Sequence, residues 1–192
     1  MQMSECTTRK LAKRLWWDIA DPNERKYLQY FLMAGIPGLF GDMLRGSFVS
    51  KRVASCGVNF RVLAGTRFRS MEKLKIGDNV SIGYDNFIQA RGGVTLGNDV
   101  MTAPGVKIWS VNHDIQDPDK LIREQDETTA EVIIGNDVFI ASNAFILPGV
   151  TLPDGCVVAA GSVVGAKAYK PYAIIAGNPA RMIGFRGGKA TE

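Results

Sequence analysis

Residues 134–164 read IGNDVFIASNAFILPGVTLPDGCVVAAGSVV, and every sixth position is aliphatic: Ile134, Ile140, Ile146, Leu152 and Val158. The fourth position after each is small or short: Val138, Ala144, Val150, Cys156 and Ser162. The third is Asp, Asn or Gly: Asp137, Asn143, Gly149, Gly155 and Gly161. Those three residue types tolerate the left-handed backbone that a tight corner needs. A short inward side chain beside the corner lets the chain turn, and the large aliphatic residue fills the axis. Three short strands and three corners then close a triangular coil of about 18 residues, which buries its aliphatic ladder only by stacking on others. Stacked coils pair strand on strand at about 4.8 Å. A sandwich of short strands would not hold its turn residues in a six-residue phase.

The same phase extends upstream. Ile76, Ile82 and Ile88 are followed by Leu96, Thr102 and Ile108, with Val80, Val100 and Val106 as short residues and Asn79, Asp85, Asp99 and Gly105 at corners. Arg91 alone breaks the corner rule. Ile76-Gly77-Asp78-Asn79 and Leu96-Gly97-Asn98-Asp99 lie 20 residues apart. That spacing is one coil plus a two-residue step, placed at Val94-Thr95. A less regular coil is expected over 56–73. The phase is lost after Ile108 and returns at Ile134, so residues 109–131 should project as a loop, and loops of such length are usually functional. The fold class is an all-β solenoid, a parallel β-helix of about five coils starting near Cys56.

Residues 1–50 differ. Arg9, Lys10, Lys13 and Arg14 cluster beside Leu11, Leu15, Trp16 and Ile19 at helical spacing. Asp21-Pro22 ends that helix, and Asp21 or Asn23 caps a second from about Glu24 to Ala34, closed by Gly35-Ile36-Pro37-Gly38. A short helical segment is expected over Leu39 to Leu44. The region is either a helical cap on the body or an amphipathic helix that touches a membrane through Trp16, Trp17 and the flanking cations. The division is therefore 1–50 helical segment, 51–170 solenoid and 171–192 C-terminal segment.

The composition sets limits. The net charge of +4 and pI of about 9.0 suit an anionic ligand as well as nucleic acid or a membrane surface. Cys6, Cys56 and Cys156 are too few and scattered for a disulfide scaffold or a zinc cluster, and a reduced cytosolic setting is the default. No apolar run reaches the roughly 18 residues of a membrane span, and no signal-peptide core is present. His113 is the single histidine, which excludes a His-ligated catalytic zinc.

Two stretches in this order, IGYDNFIQARGGVTLGNDVMTAPGVKIWSVNHD at 82–114 and IIGNDVFIASNAFILPGVTLPDGCVVAAGSVVGAKAYKPYAIIAGNPARMIG at 133–184, resemble the hexapeptide-repeat acyltransferases. The resemblance is strongest to the maltose, galactoside and nodulation-factor O-acetyltransferases and related polysaccharide O-acetyltransferases. It runs from Ile82 to Arg186, about half of the chain, and the closing Gly177-Asn178-Pro179-Ala180-Arg181 makes it specific. The first 50 residues do not resemble the N-terminal region of the maltose enzymes. The family fold implies a left-handed coil, against the usual right-handed crossover. It also implies acetyl-CoA as co-substrate, no metal, and transfer to a hydroxyl of a sugar or polysaccharide intermediate.

Several residues carry the expected chemistry. Attack of a hydroxyl on a thioester needs a base of near-neutral pKa, which imidazole supplies. The family places its catalytic histidine in the setting seen here as Asn112-His113-Asp114. A lone histidine is otherwise a surface or packing residue. The group that orients its second nitrogen is open between Asp114, another carboxylate and a backbone carbonyl. Asn86 stands in a slot where a short apolar residue is expected. The resemblance gives it an acceptor-binding or oxyanion role, with Asp85, Arg91 and Asn112 beside the acceptor. The other reading is an asparagine satisfied by a neighbouring coil's backbone. For acetyl-CoA, the resemblance points to Ala103, Gly105, Phe139, Ala141, Ser142, Ala160 and Gly161 along the pantetheine arm. Lys167 and Arg181, with Arg186 as a weaker candidate, would meet the phosphates. It further implies a homotrimer with sites between subunits, His113 of one facing Ser142 or Ala160 of the next. Alternatives are N-acetylation of an amine or amino sugar, O-acetylation of serine or an antibiotic, and a binding module. A β-helical carbonic anhydrase would need three histidine ligands. Placement is expected in the cytoplasm, with peripheral contact at the inner face of the membrane through the first helix.

Overall fold

The computed structural model describes residues 8–188; Cys6 and the side chains of Arg9 and Asn23 lie outside the description. Three helices come first: α1 (Thr8–Ala20), α2 (Pro22–Ala34) and α3 (Gly38–Ser50). Pro22 opens α2, where its missing N–H costs nothing. The third helix is longer than the sequence suggests. Arg45 holds it down from a fully buried position, donating to Val62 O (3.0 Å), Met33 O (3.1 Å), Ile36 O (2.6 Å) and Asp42 Oδ1 (2.8 Å). The same guanidinium therefore caps α2, fixes α3 and ties both to the first coil. At Gly46 an added Cβ would stand 3.0 Å from Phe60 O, so the helix lies directly on the coil backbone.

The solenoid follows. Its first coil is β1 (Ser55–Cys56), β2 (Arg61–Val62) and β3 (Arg67–Arg69), then a 3-10 turn at Met71–Lys73. The second is β4 (Leu74–Ile76), β5 (Ser81–Ile82) and β6 (Phe87–Gln89); the third is β7 (Val94–Leu96), β8 (Met101–Thr102) and β9 (Lys107–Trp109). A hairpin, β10 (Val111–His113) and β11 (Glu127–Thr129), interrupts the stack. The fourth coil is β12 (Val132–Ile134), β13 (Phe139–Ile140) and β14 (Phe145–Ile146); the fifth is β15 (Thr151–Leu152), β16 (Val157–Val158) and β17 (Val163–Val164). β18 (Ala173–Gly177) begins a sixth turn, and β19 (Ala180–Phe185) folds back on it antiparallel. The first face is β1-β4-β7-β12-β15, the second β2-β5-β8-β13-β16-β18 edged by β19, and the third β3-β6-β9-β14-β17.

Pairing between coils is parallel, and the register stacks like on like: Ile76 on Leu96 on Ile134 on Leu152, and Phe68 on Ile88 on Ile108. These side chains point inward and are buried. Each such aliphatic residue contributes about 1.5–3 kcal/mol when removed from water. Thr102, the weakest member of the ladder, stays buried because its Oγ1 accepts from Gly83 N–H at 3.0 Å. The expected corner residues all adopt positive φ, from 51° at Asp137 to 79° at Gly149. The coil at 56–73 is as regular as the others, with Cys56, Val62 and Phe68 six apart and positive φ at Asn59 and Gly65.

The two-residue step is placed differently from expectation. Val94 and Thr95 lie within β7, and the extra residues occupy the corner at 90–93, where Gly93 rather than Arg91 takes the positive φ of 96°. The preceding coil makes the same step with the 3-10 turn at Met71–Lys73. Leu74 thus pairs with Val94, twenty residues on, whereas Ile133 pairs with Thr151, eighteen on.

The corner between first and second faces has a second device. Asp78 Oδ1 accepts from Val58 N–H, Asn98 Oδ1 from Asp78 N–H, Asn136 Oδ1 from Asn98 N–H and Asp154 Oδ1 from Asn136 N–H, at 2.7–2.8 Å. Each carboxylate or amide so caps the coil before it. The Gly preceding Asp78, Asn98 and Asn136 makes room: a Cβ on Gly77 or Gly97 would meet the next coil within 2.5–2.8 Å.

Candidate active site

His113 lies where the third face should turn into the first. The hairpin replaces that corner, and its root is anchored by buried Val111 and Ser110. Ser110 Oγ accepts from Gly92 N–H and donates to Gln89 O, each at 2.8 Å, which fastens the hairpin to the coil below. The arms pair Val111 with Thr129, Asn112 with Thr128 and His113 with Glu127. Beyond them, the Gln125 amide donates to Asp117 O (2.9 Å) and Lys120 O (3.0 Å) and shapes the tip. The imidazole is exposed to solvent. Asp114 Oδ1 accepts from Gln116 N–H at 3.0 Å and so serves its own turn. Glu127, the cross-strand partner of His113, is ion-paired to Arg91 on the coil corner beneath.

Of the expected acceptor residues, the fold brings Asn112 and Arg91 to His113 and leaves two elsewhere. Asp85 and Asn86 belong to the corner between second and third faces, so Asp85 and Arg91 do not line one cleft in a single chain. Asn86 shares that corner with the small residues of the later coils, and its Oδ1 is buried without a partner among the described residues. It is fully buried, and its amide donates to Tyr84 O and Ala103 O at 2.9 Å, bracing two coils.

The corner between second and third faces gathers the residues expected along the pantetheine arm. Ala103 and Gly105, Ala141 and Ser142, and Ala160 and Gly161 occupy this corner in successive coils, with Ala103, Ala141 and Ala159 bonded through their N–H groups to the coil above. The Ser142 and Ala160 N–H groups meet no acceptor among the described residues. Small side chains with free outward amides fit an extended chain of amides and hydroxyls. Phe139 stands outward on the second face, two residues before Ala141 and 39% exposed. At the end of the stack Lys167 Nζ reaches Ala180 O (3.4 Å), next to exposed Arg181. Arg186 lies away from them, ion-paired to Asp137 at the other corner of the second face.

Sequence reasoning missed the outer side of the third face. Phe87, Trp109 and Phe145 form an edge-to-face row with centroids 5.7 and 5.8 Å apart. The signal was present: each flanks a ladder isoleucine, one coil apart. A groove runs between α2 and this face, with Tyr27 and Arg69 shared by its two halves.

Residues 131–166 match the family model described as "Bacterial transferase hexapeptide (six repeats)". The chain is similar to the galactoside O-acetyltransferase of Escherichia coli (strain K12), 32% identical over 139 residues that cover 72% of this chain and 67% of the relative. The chain belongs to the hexapeptide-repeat acetyltransferases. This acetyltransferase therefore winds as a left-handed parallel β-helix. Its fold is similar to a galactoside acetyltransferase solved in complex with coenzyme A, at 26% identity and a TM-score of 0.72 over 88% of this chain and 84% of that one. It is equally similar to a maltose O-acetyltransferase from Clostridium difficile 630, at 25% identity and a TM-score of 0.73 over 86% and 89%. Among the described residues of the acetyltransferase, no helix is long and apolar enough to cross a membrane.

Proposed function

We propose that the acetyltransferase moves an acetyl group from acetyl-CoA to a hydroxyl of a sugar, free or within a glycan intermediate, with His113 as general base. The observation that carries this reading is the placement of the only histidine, exposed at the root of a braced hairpin in a fold whose relatives are named for galactoside and maltose acetylation. The neutral imidazole takes the acceptor hydroxyl proton as that oxygen attacks the thioester carbonyl carbon. The carbon–sulfur bond then breaks, and the imidazolium returns its proton to the departing thiolate. Asn112 and Arg91 border the acceptor. Ala103, Gly105, Phe139, Ala141, Ser142, Ala160 and Gly161 receive the pantetheine arm, and Lys167 and Arg181 the phosphates.

His113 and that receiving corner lie at opposite edges of the third face. One chain does not join them, and the reading therefore includes a homotrimer in which His113 of one subunit meets the corner of its neighbour. A cytoplasmic enzyme resting on the inner face of the membrane goes with it. The support is α1, which exposes Leu11, Leu15, Trp16, Trp17 and Ile19 beside Lys10, Lys13 and Arg14.

The test is thiol release from acetyl-CoA against a panel of galactosides, maltose and amino sugars. His113→Ala should lower turnover by about 10²–10⁴-fold, with CoA affinity by calorimetry and thermal midpoint retained. Near-normal turnover in that variant would remove the base from His113. Silence with every acceptor, together with absent CoA binding, would remove the reading.

A further inference from the structure

We infer that the acceptor is anionic, a sugar carrying a carboxylate or a phosphate, and that Arg67 and Arg69 receive that group in the groove between α2 and the third face; this rests on the acetyl-transfer reading above. Arg67 and Arg69 alternate with buried Phe68 along β3, so both guanidiniums stand on the outer side. The groove sets five cations, Lys26, Arg67, Arg69, Lys73 and Arg91, against two carboxylates, Glu24 and Glu72. Three of the five are engaged: Lys26 with Glu72 (2.9 Å), Lys73 with Arg91 O (2.9 Å) and Arg91 with Glu127. Among the described residues, Arg67 and Arg69 meet no carboxylate. Arg67 lies 5.2 Å from the Phe87 ring centroid and Arg69 5.0 Å from that of Tyr27. A guanidinium seated on a ring face is pre-oriented and weakly hydrated, and its fork matches a carboxylate or phosphate. Two such groups side by side repel until an anion lies between them.

The position is right for an acceptor. On the next rung β6 places Phe87 and Gln89 beside Arg67 and Arg69, and Arg91 then leads through Glu127 to His113. The row of Phe87, Trp109 and Phe145 offers an apolar platform for a sugar ring. Gln89 Oε1 and Trp109 Nε1 are buried without partners, an acceptor and a donor on that platform.

The experiment compares kcat/KM for three acceptors with acetyl-CoA: methyl galactoside, methyl galacturonide and galactose 1-phosphate. The wild-type enzyme should favour at least one anionic acceptor by about tenfold or more, as charge-assisted bonds do, and the preference should shrink as salt rises. The better anion names the group. In Arg67→Gln/Arg69→Gln the ratio of anionic to neutral acceptor should fall towards one, with CoA affinity and thermal midpoint kept. Arg67→Lys/Arg69→Lys should retain part of it. Equal use of neutral and anionic acceptors by the wild type, or an unchanged ratio in the Gln pair, would overturn the inference while leaving acetyl transfer standing. Turnover of none of the three, with no CoA binding, would take down both.

Discussion

Arg45 shows what one residue does here. It sits with no exposed surface beside Asp42, which also meets Arg61 at 3.1 Å. Arg45→Ala should lower the free energy of unfolding in urea by about 3–5 kcal/mol, the usual cost of stranding a buried charge and its carbonyl partners. A loss under 1 kcal/mol would mean that water replaces the guanidinium. Nothing in the sequence marks this arginine, because its partners are backbone carbonyls of distant segments. His113 was legible for the opposite reason: a count of one, at a break in period, needs no tertiary information. Asn86 breaks the apolar rule visibly in the sequence, but that its amide braces Ala103 O one coil away while its Oδ1 stays unpartnered is visible only in the fold. Burial pushes both the Cys56 and Cys156 thiols up, and Cys156 is fully buried.

At the scale of elements, the coils were readable because their period is local. Six residues contain an inward side chain, a corner and a short residue, so the pattern repeats without reference to the rest of the chain. The first coil was under-read because Cys56 and Phe68 are less uniform than isoleucine. The groove of α2 against the third face was not readable, since helix placement depends on contacts such as Ser70 N–H to Tyr27 Oη (2.9 Å) that carry no periodic signature. The hairpin contrasts with the coils. Past Val111 it buries no apolar residue. Replacing residues 115–125 by a short Gly-Asn-Gly turn should therefore leave the thermal midpoint within about 2–4 °C, while acetyl transfer falls sharply as the arm that presents His113 loses its brace. A large drop in midpoint would show that the hairpin supports the stack.

The whole molecule makes the strongest demand, since its two candidate half-sites lie on different corners. Light scattering should give about three times the 20.9 kDa chain mass. Chains carrying His113→Ala and chains carrying Ala160→Trp should each be inactive alone. Mixed after unfolding and refolding together, they should recover up to about a quarter of wild-type sites, the share expected when each site draws on two neighbouring subunits at random. No recovery would place the site within one chain. The ends of the stack have a consequence of their own. Parallel rungs in register are the architecture of a fibril, and an uncovered terminal rung would recruit another molecule. At one end Arg45 Nε occupies Val62 O and Ala34 O receives Gly65 N–H. At the other the antiparallel β19 closes the second face, and Tyr172 N–H is bonded to Asp154 O over the first. Helices and return strand thus act as stoppers on a self-templating column, and they keep a repetitive sequence a discrete particle instead of a thread.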